Sequence, residues 1–197
     1  MTERKARYQR ETKETKIEVE LALDGQGRYQ VKTRLDMLNH LLEQWAHHGL
    51  FDLRLSVPAD DKDDHHLVED VALALGRAFL EALGERRGLR RMAHALVPMD
   101  EALALVAVDL SGRGYAGLEI PFAGERVGDI PTLLVSHFLS TLAVEGRFTL
   151  HGRLLAGSDD HHKAEALFKA LGRALDEATT PDPRRAGEVP STKGVID

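Results

Sequence analysis

Two segments of the chain are near copies of each other. The segment 64–69, Asp-His-His-Leu-Val-Glu, returns at 160–165 as Asp-His-His-Lys-Ala-Glu, and both lead into an identical Ala-Leu-Gly-Arg-Ala at 74–78 and 170–174. A repeat must be recognised first, because a missed period changes the fold that is predicted. The duplication indicates two related halves, each with a helix that begins at a His-His-x-x-Glu motif.

The spacing of other residues extends the duplication. His65 and His161 are 96 residues apart, whereas His40 and His137 are 97 apart. A gap of one residue reconciles the two values. The two halves are therefore related over most of their length.

Hydrophobic periodicity and turn residues predict the same order of elements in both halves. In the first half we expect strands over 16–23 and 28–33 joined as a β-hairpin, a helix over 35–48, a strand over 50–57 and a helix over 64–83. The equivalents in the second half are 103–110, 115–120, 131–144, 147–154 and 160–178. The predicted fold class is α+β, with two duplicated β-hairpin/α/β/α halves packed as one pseudo-symmetric domain.

The predicted organisation divides the chain into a first half-repeat over 1–90, a second over 91–178 and a C-terminal substrate-binding tail over 179–197. Each half alone would be a thin sheet with helices on one face. We expect the helical faces of the two halves to meet.

Composition excludes several classes of function. The chain has no apolar run near the roughly 18–20 residues of a membrane span, and the polar segment 1–16 lacks the apolar region of a signal peptide. We therefore expect a cytoplasmic protein with no membrane partner. The net charge of −6 argues against a nucleic-acid partner. Because cysteine is absent, a transition metal must be held by imidazole and carboxylate groups.

The repeated motif has the spacing of a metal site. Residues four apart on a helix share a face, so His65 and Glu69 can bind one cation, whereas His66 points about 100° away. Adjacent histidines therefore suit two different metal ions. The candidate ligands from both halves are His40, His65, His66, Glu69, His137, His161, His162 and Glu165. Six imidazoles and two carboxylates suit two octahedral sites of the Mn, Fe or Co type, with positions open for substrate.

With further motifs, the chain resembles the imidazoleglycerol-phosphate dehydratase family of histidine biosynthesis. The matches are Arg10-x-Thr12-x-Glu14-Thr15 and the segments 38–49, 64–70, 97–101, 111–113, 125–129, 160–170 and 190–194. The chain departs from the family pattern at Asn39, where Asp is common, at 32–35 and at Gly114.

The resemblance implies a non-hydrolytic dehydration of D-erythro-imidazoleglycerol phosphate to imidazole acetol phosphate, with two Mn²⁺ ions in each active site. Two cations on the ring nitrogens would hold the substrate imidazole as imidazolate, whose electrons expel hydroxide. The resemblance also implies active sites built between subunits of a homo-oligomer with about 24 subunits.

Roles for individual residues follow from the same resemblance. The candidates for proton transfer are Glu14, Glu69 and Glu165, with Glu14 favoured at the substrate hydroxyls because it lies outside both metal motifs. The residues expected to bind the substrate are Glu14, Gln44, His48, Arg91, Arg113, Lys169, Ser191 and Lys193. Two alternatives stay open, a dinuclear metallohydrolase and a histidine-rich metal-storage protein.

Overall fold

A computed structural model describes residues 4–60, 62–185 and 187–196 of the chain. The first half contains β1 (Lys5–Glu11), β2 (Thr15–Ala22), β3 (Tyr29–Lys32), α1 (Asp36–His48), β4 (Asp52–Asp60) and α2 (Asp64–Leu83). The second half contains β5 (Met92–Met99), β6 (Ala102–Asp109), β7 (Tyr115–Glu119), β8 (Arg126–Val127), β9 (Ile130–Pro131), α3 (Thr132–Glu145), β10 (Thr149–Ala156) and α4 (Asp160–Thr179). A short 3-10 helix (Pro183–Arg185) follows.

The two halves build matching four-stranded sheets. Their strand orders are β1-β2-β4-β3 and β5-β6-β10-β7. In each sheet the first three strands in this order are antiparallel, and the fourth lies parallel to the third. The fold class is therefore confirmed, since one α+β domain contains two duplicated halves.

The pairing within the predicted hairpins was wrong. β2 does not pair with β3, because β4 lies between them, and the hairpin of the first half is formed by β1 and β2. β3 and β4 are parallel, and α1 supplies the crossover that a parallel pair requires. The loop after β2 crosses the start of β4, where the Asp52 carboxylate accepts hydrogen bonds from the backbone of Gln26 and Arg28.

Helices of one half pack against helices of the other. α1 contacts α4 and α2 contacts α3, while the sheets cover the outer sides of this helical layer. α2 is buried on most of its surface, including Leu67, Val71 and Phe79, because it is enclosed by the first sheet and by α3. The expectation that the helical faces meet is confirmed.

The glycine of the repeated Ala-Leu-Gly-Arg-Ala motif lies at both helix contacts. A Cβ at Gly76 would lie 3.0 Å from the backbone nitrogen of Gly146, and one at Gly172 would lie 3.0 Å from that of Gly49. A side chain at either glycine would push the two contacting helices apart. The identical motif thus has a packing role in both halves.

A carboxylate from the second half caps the first helix of the first half. Leu35 is the N-cap residue of α1 and makes no side-chain cap. The backbone N–H groups of Asp36 and Met37 instead donate to Asp129, at 2.6 and 2.9 Å. Asp129 therefore stabilises the start of the helix that carries His40.

The tail described over 187–196 returns to the segment between the halves. The backbone N–H of Gly88 donates to the Glu188 carbonyl at 2.8 Å, and Arg87 donates to the Gly187 carbonyl at 3.1 Å. Within the described ranges no helix has both the length and the apolar character of a membrane span.

Candidate active site

Two clusters of histidine and glutamate side chains, of the types that can hold a metal ion, lie where the helices of the two halves meet. The first cluster contains His40, His161 and Glu165, and the second contains His65, Glu69 and His137. In each cluster the candidate ligand atoms all lie within 4.8 Å of one another. Each cluster combines the histidine of α1 or α3 with the histidine and glutamate of the long helix from the other half.

Duplicated aspartates fix the starts of the two long helices. Asp63 accepts hydrogen bonds from the backbone N–H groups of His65 and His66 at 2.7 and 3.2 Å. Asp159 accepts the equivalent bonds in the second half at the same distances. These caps satisfy backbone donors of the first turn, which sets the direction of both His-x-x-x-Glu faces.

The first cluster is tightly bonded even without a cation. The Glu165 carboxylate lies 2.9 Å from His40 Nε2, 3.3 Å from His161 Nε2 and 2.6 Å from Lys169 Nζ. Burial alone would raise the pKa of Glu165, but hydrogen bonds from Lys169 and His40 outweigh it and lower the pKa to about 2. Glu165 is therefore an anion at neutral pH.

The second cluster is looser. The Glu69 carboxylate lies 3.5 Å from His137 Nε2 and 4.0 Å from His65 Nε2, and its side chain is 40% exposed. The rings of His65 and His137 stack with centroids 4.7 Å apart. His137 Nε2 is buried without a hydrogen-bond partner in the described part of the chain. This orphaned nitrogen is available to an incoming ligand.

His66 and His162 lie outside both clusters, and each faces a glutamate from a strand–strand turn of its own half. His66 Nδ1 lies 3.6 Å from Glu14, and His162 Nδ1 lies 2.8 Å from Glu101. Hydrogen bonds from the Asp159 backbone and from His162 lower the pKa of Glu101 to about 2. The assignment of both histidines as metal ligands stays a prediction.

The Arg10-x-Thr12-x-Glu14-Thr15 motif builds the turn that carries Glu14. Thr12 Oγ1 accepts hydrogen bonds from the backbone of Glu14 and Thr15. The buried carboxylate of Asp70 on α2 receives the Arg10 guanidinium at 2.8 Å and the Thr15 hydroxyl. These contacts hold the turn against α2, whereas the Glu14 carboxylate is 54% exposed and points toward His66.

Gln44 and His48 follow His40 along α1 at intervals of four residues, so the three share one helix face. Both are half-buried. Burial lowers the pKa of His48, and the positive charge of Lys169 adds to the effect. His48 therefore lies within electrostatic reach of Lys169, which itself contacts Glu165 of the first cluster.

The predicted phosphate-binding residues divide into one internal arginine and an exposed group. Arg91 makes two bonds to Asp109, at 2.7 and 3.1 Å, and a third to the Pro190 carbonyl at 2.7 Å. Three of its five donors are therefore occupied by the protein. Because one of them holds Pro190, Arg91 fixes the tail next to Ser191.

The exposed group consists of Arg113, Ser191 and Lys193. The side chains of Arg113 and Lys193 are exposed, and Ser191 is half-buried. Ser191 Oγ accepts a hydrogen bond from the backbone of Lys193 at 3.2 Å, which shapes the tail turn. Among the described residues, neither cationic side chain has an ion pair.

Asn39, which departs from the family pattern, is bonded through both its side-chain oxygen and its side-chain amide nitrogen. Its side-chain oxygen accepts from the backbone and hydroxyl of Thr33 at 2.8 Å each, and its amide donates to the Thr33 carbonyl at 3.1 Å. This arrangement holds the loop before α1 to the helix without a negative charge. The departure therefore affects the loop that precedes the helix of His40. It does not replace any candidate ligand.

Sequence reasoning did not identify Glu101 as a counterpart of Glu14. Glu101 accepts bonds from the backbone of Ser158 and Asp159 and contacts His162, so it joins the second hairpin to the start of α4. The signal was present in the sequence, since Glu14 and Glu101 both precede a strand of alternating pattern. It was missed because β1 and β5 were not predicted.

The chain is similar to known proteins over its whole length. The family model described as imidazoleglycerol-phosphate dehydratase matches residues 33–175. The imidazoleglycerol-phosphate dehydratase of Dehalococcoides mccartyi is 58% identical over 197 residues, all of both chains. The chain belongs to the imidazoleglycerol-phosphate dehydratase family. It is accordingly an enzyme of the hydro-lyase class.

Solved structures of the family show the same fold. The enzyme of Pyrococcus furiosus, in complex with (S)-C348, has a TM-score of 0.82 and 38% identity, with 95% of this chain and 99% of that chain covered. The Staphylococcus aureus enzyme has a TM-score of 0.79 and 32% identity, with 89% and 99% covered. The duplicated architecture is therefore that of the imidazoleglycerol-phosphate dehydratase family.

Proposed function

We propose that the protein dehydrates imidazoleglycerol phosphate to imidazole acetol phosphate in histidine biosynthesis. The observation that carries the proposal is the pair of His/His/Glu clusters, each completed across the two halves in a chain of this family. Each cluster has the donors to hold one cation, and a substrate imidazole has two ring nitrogens with which it could bind two cations.

The donor groups fit the metal that the family resemblance implies. Imidazole and carboxylate suit divalent first-row ions, and three protein ligands leave positions open for substrate. Two observations support such a role: His137 Nε2 is buried without a hydrogen-bond partner in the described residues, and Glu165 is ionised at neutral pH. We propose Mn²⁺ as the ion, with two ions in each active site.

Bound manganese would supply Lewis acidity that favours the ionised form of the substrate imidazole. In the reaction one C–O bond breaks and the hydroxyl leaves as water. The adjacent carbon loses a proton, and the resulting enol becomes the ketone. We propose that Glu14 transfers protons at the substrate hydroxyls, because its carboxylate is exposed and belongs to neither cluster. Glu69 and Glu165 act as ligands in this scheme, since Glu165 with a pKa of about 2 is a poor proton carrier.

At the phosphate end, Arg113, Ser191 and Lys193 provide positive charge and donors with no competing ion pair in the described residues. Charged hydrogen bonds from such groups suit phosphate oxygens. Arg91 holds the tail in place and keeps two donors for substrate. Lys169 contacts Glu165 of the first cluster, and we assign Gln44 and His48, which share the helix face of His40, to substrate binding.

We also propose that active sites are completed between subunits of a homo-oligomer with about 24 copies, as the family resemblance implies. His66 and His162 lie at the surface outside the clusters of their own chain, where a neighbouring copy could use them. Large apolar side chains such as Met92, Leu96 and Leu133 are 62%, 55% and 75% exposed and could pack between copies. The proposed location is the cytoplasm, with no nucleic-acid or membrane partner.

The deciding experiment compares Mn²⁺-loaded protein on imidazoleglycerol phosphate and on simple phosphate esters. We expect a product that has lost one water, and no release of inorganic phosphate. His137→Ala should abolish turnover, whereas His151→Ala, an exposed histidine outside the clusters, should not. Phosphate release would favour the metallohydrolase, and metal binding without turnover would favour the storage protein.

A further inference from the structure

A third charged site lies between the C-terminal end of α2, the turn after α3 and the tail. It is a cavity of about 470 Å³ that shares no lining residue with either metal-binding cluster. This volume lies within the roughly 300–1,000 Å³ of small-molecule sites. Its charged lining residues are Glu85, Arg86, Arg87 and Arg147, and Leu80, Val189 and Ile196 supply apolar surface.

Arg86 is the unusual member of this lining. The residue is only 8% exposed, and its Nε is buried without a hydrogen-bond partner. Throughout the described ranges, its guanidinium makes neither a hydrogen bond nor an ion pair. Arginine does not lose its proton in proteins, so a positive charge is buried here with no directly bonded carboxylate in the described residues, and only Asp109 acts on it as an opposite charge from a distance.

A second arginine adds to the positive charge. Arg147 donates through Nε to the Gly112 carbonyl at 3.0 Å, and no carboxylate pairs with it in the described part of the chain. Burial lowers the pKa of Arg86, and the charge of Arg147 lowers it further. The remaining charges of the lining cancel, because Arg87 pairs with Glu85 at 3.0 Å.

The fold does not require arginine at position 147. The pseudo-equivalent residue of the first half, 97 positions earlier, is Leu50. Both residues follow a helix-ending glycine and have a similar left-handed backbone, with φ of 52° for Arg147 and 54° for Leu50. The backbone of this turn therefore does not explain why a second positive charge lies beside Arg86.

We propose that this cavity binds the phosphoryl group of a small phosphorylated molecule, with Arg86 and Arg147 as its two cationic ligands. A dianionic phosphoryl group matches two guanidinium groups in charge, and several N–H donors can meet its oxygens. The apolar wall of Leu80, Val189 and Ile196 then contacts the rest of the molecule. Neither Arg113 nor Lys193 lines this cavity, and the proposal does not depend on the proposed dehydration.

Equilibrium dialysis of the full-length, Mn²⁺-loaded protein with inorganic phosphate and with phenyl phosphate tests the site. We expect a class of sites that binds phenyl phosphate more tightly than inorganic phosphate, because the phenyl ring contacts the apolar side chains of the cavity. Arg86→Gln and Arg147→Gln should each weaken this class by about 10-fold or more. Arg185→Gln, which removes an exposed arginine from the same region, is the charge-matched control and should bind as wild type does.

The variant Lys193→Ala distinguishes this cavity from the predicted substrate site. It should leave the binding of phenyl phosphate to the cavity unchanged. Wild-type affinity in both Arg86→Gln and Arg147→Gln would overturn the proposal, as would equal weakening in Arg185→Gln. Loss of the class in Lys193→Ala alone would also overturn it, since phosphate would then occupy only the substrate site. If Arg86→Gln does not fold, Arg147→Gln decides the result, because that side chain is exposed.

Discussion

Lys169 provides a direct test of the electrostatics of the first cluster. Its Nζ lies 2.6 Å from Glu165 Oε1, and the two side chains are 15% and 8% exposed. Burial raises the pKa of Glu165, but the bonds from Lys169 and His40 lower it from 4.5 to about 2. One pKa unit corresponds to about 1.4 kcal/mol, so ionised Glu165 contributes on the order of 3 kcal/mol to stability at neutral pH.

Lys169→Met keeps the length of the side chain and removes its charge. In metal-free protein at pH 7, we expect the free energy of unfolding to fall by about 2–4 kcal/mol, because a buried carboxylate loses its partner. The melting temperature should fall by about 5–15 °C for a chain of this length. The folded pKa of Glu165 lies below its unfolded value. Its contribution is therefore complete above about pH 4.5, and the difference between variant and wild type should shrink as the pH falls toward about 2.

Urea denaturation in the presence of a chelator measures this difference. Trp45 is the only tryptophan and is buried, so its fluorescence reports unfolding. Lys32→Met, at an exposed lysine, is the matched control and should change stability by less than about 0.5 kcal/mol. The reasoning would be refuted if Lys169→Met at pH 7 lost no more free energy of unfolding than the control. It would also be refuted if the loss at pH 3 were as large as the loss at pH 7.

Four further predictions follow from the site and the fold. Glu69→Ala should lower bound manganese, particle size and turnover together, and unchanged manganese by elemental analysis would remove Glu69 from the ligands. Glu14→Gln should retain metal and substrate affinity but lose most of kcat, whereas wild-type turnover would exclude it from proton transfer. Lys193→Ala should raise KM by roughly 10- to 150-fold at constant metal content, and a normal KM would show that the tail does not bind substrate. Asp129→Ala should cost about 1 kcal/mol in urea denaturation, because the start of α1 loses its cap, and an equal stability would contradict that role.

The helices could be predicted closely from the sequence. α2 begins and ends at the predicted residues, Asp64 and Leu83, because an aspartate N-cap and Gly84 mark its ends. α1 and α4 differ from prediction by one residue at one end, and α3 differs by one residue at both ends. Capping residues and periodicity are local signals, and they suffice where an element is long and amphipathic.

The strand pairing could not be predicted in the same way. β1 alternates half-buried with exposed positions, and its sequence, Lys-Ala-Arg-Tyr-Gln-Arg-Glu, contains almost no apolar signal. β5 lies at the edge of its sheet and contains Pro98, which weakens a strand prediction. The place of β4 between β2 and β3 depends on contacts distant in sequence. Turn chemistry at 24–27 could not reveal it.

The candidate ligands were recognisable because they are duplicated, but their grouping was not. The sequence offered His40 and His65 in one half, and proximity along the chain would have placed them together. The structure instead joins His40 with Glu165 and His137 with Glu69, because α1 packs on α4 and α3 packs on α2. Which helical surfaces meet is a property of the packed core.

The repeated glycines connect this packing to the site. α1 and α4 run in the same direction, since His40 contacts the start of α4 while the end of α1 reaches Gly172 further along. α3 and α2 repeat the arrangement, with His137 at Glu69 and the end of α3 at Gly76. A side chain at either glycine would separate one helix pair at its middle and draw its histidine away from its glutamate. The identity of Ala-Leu-Gly-Arg-Ala in both halves and the closure of both clusters therefore have one cause, the close approach of a helix from each half.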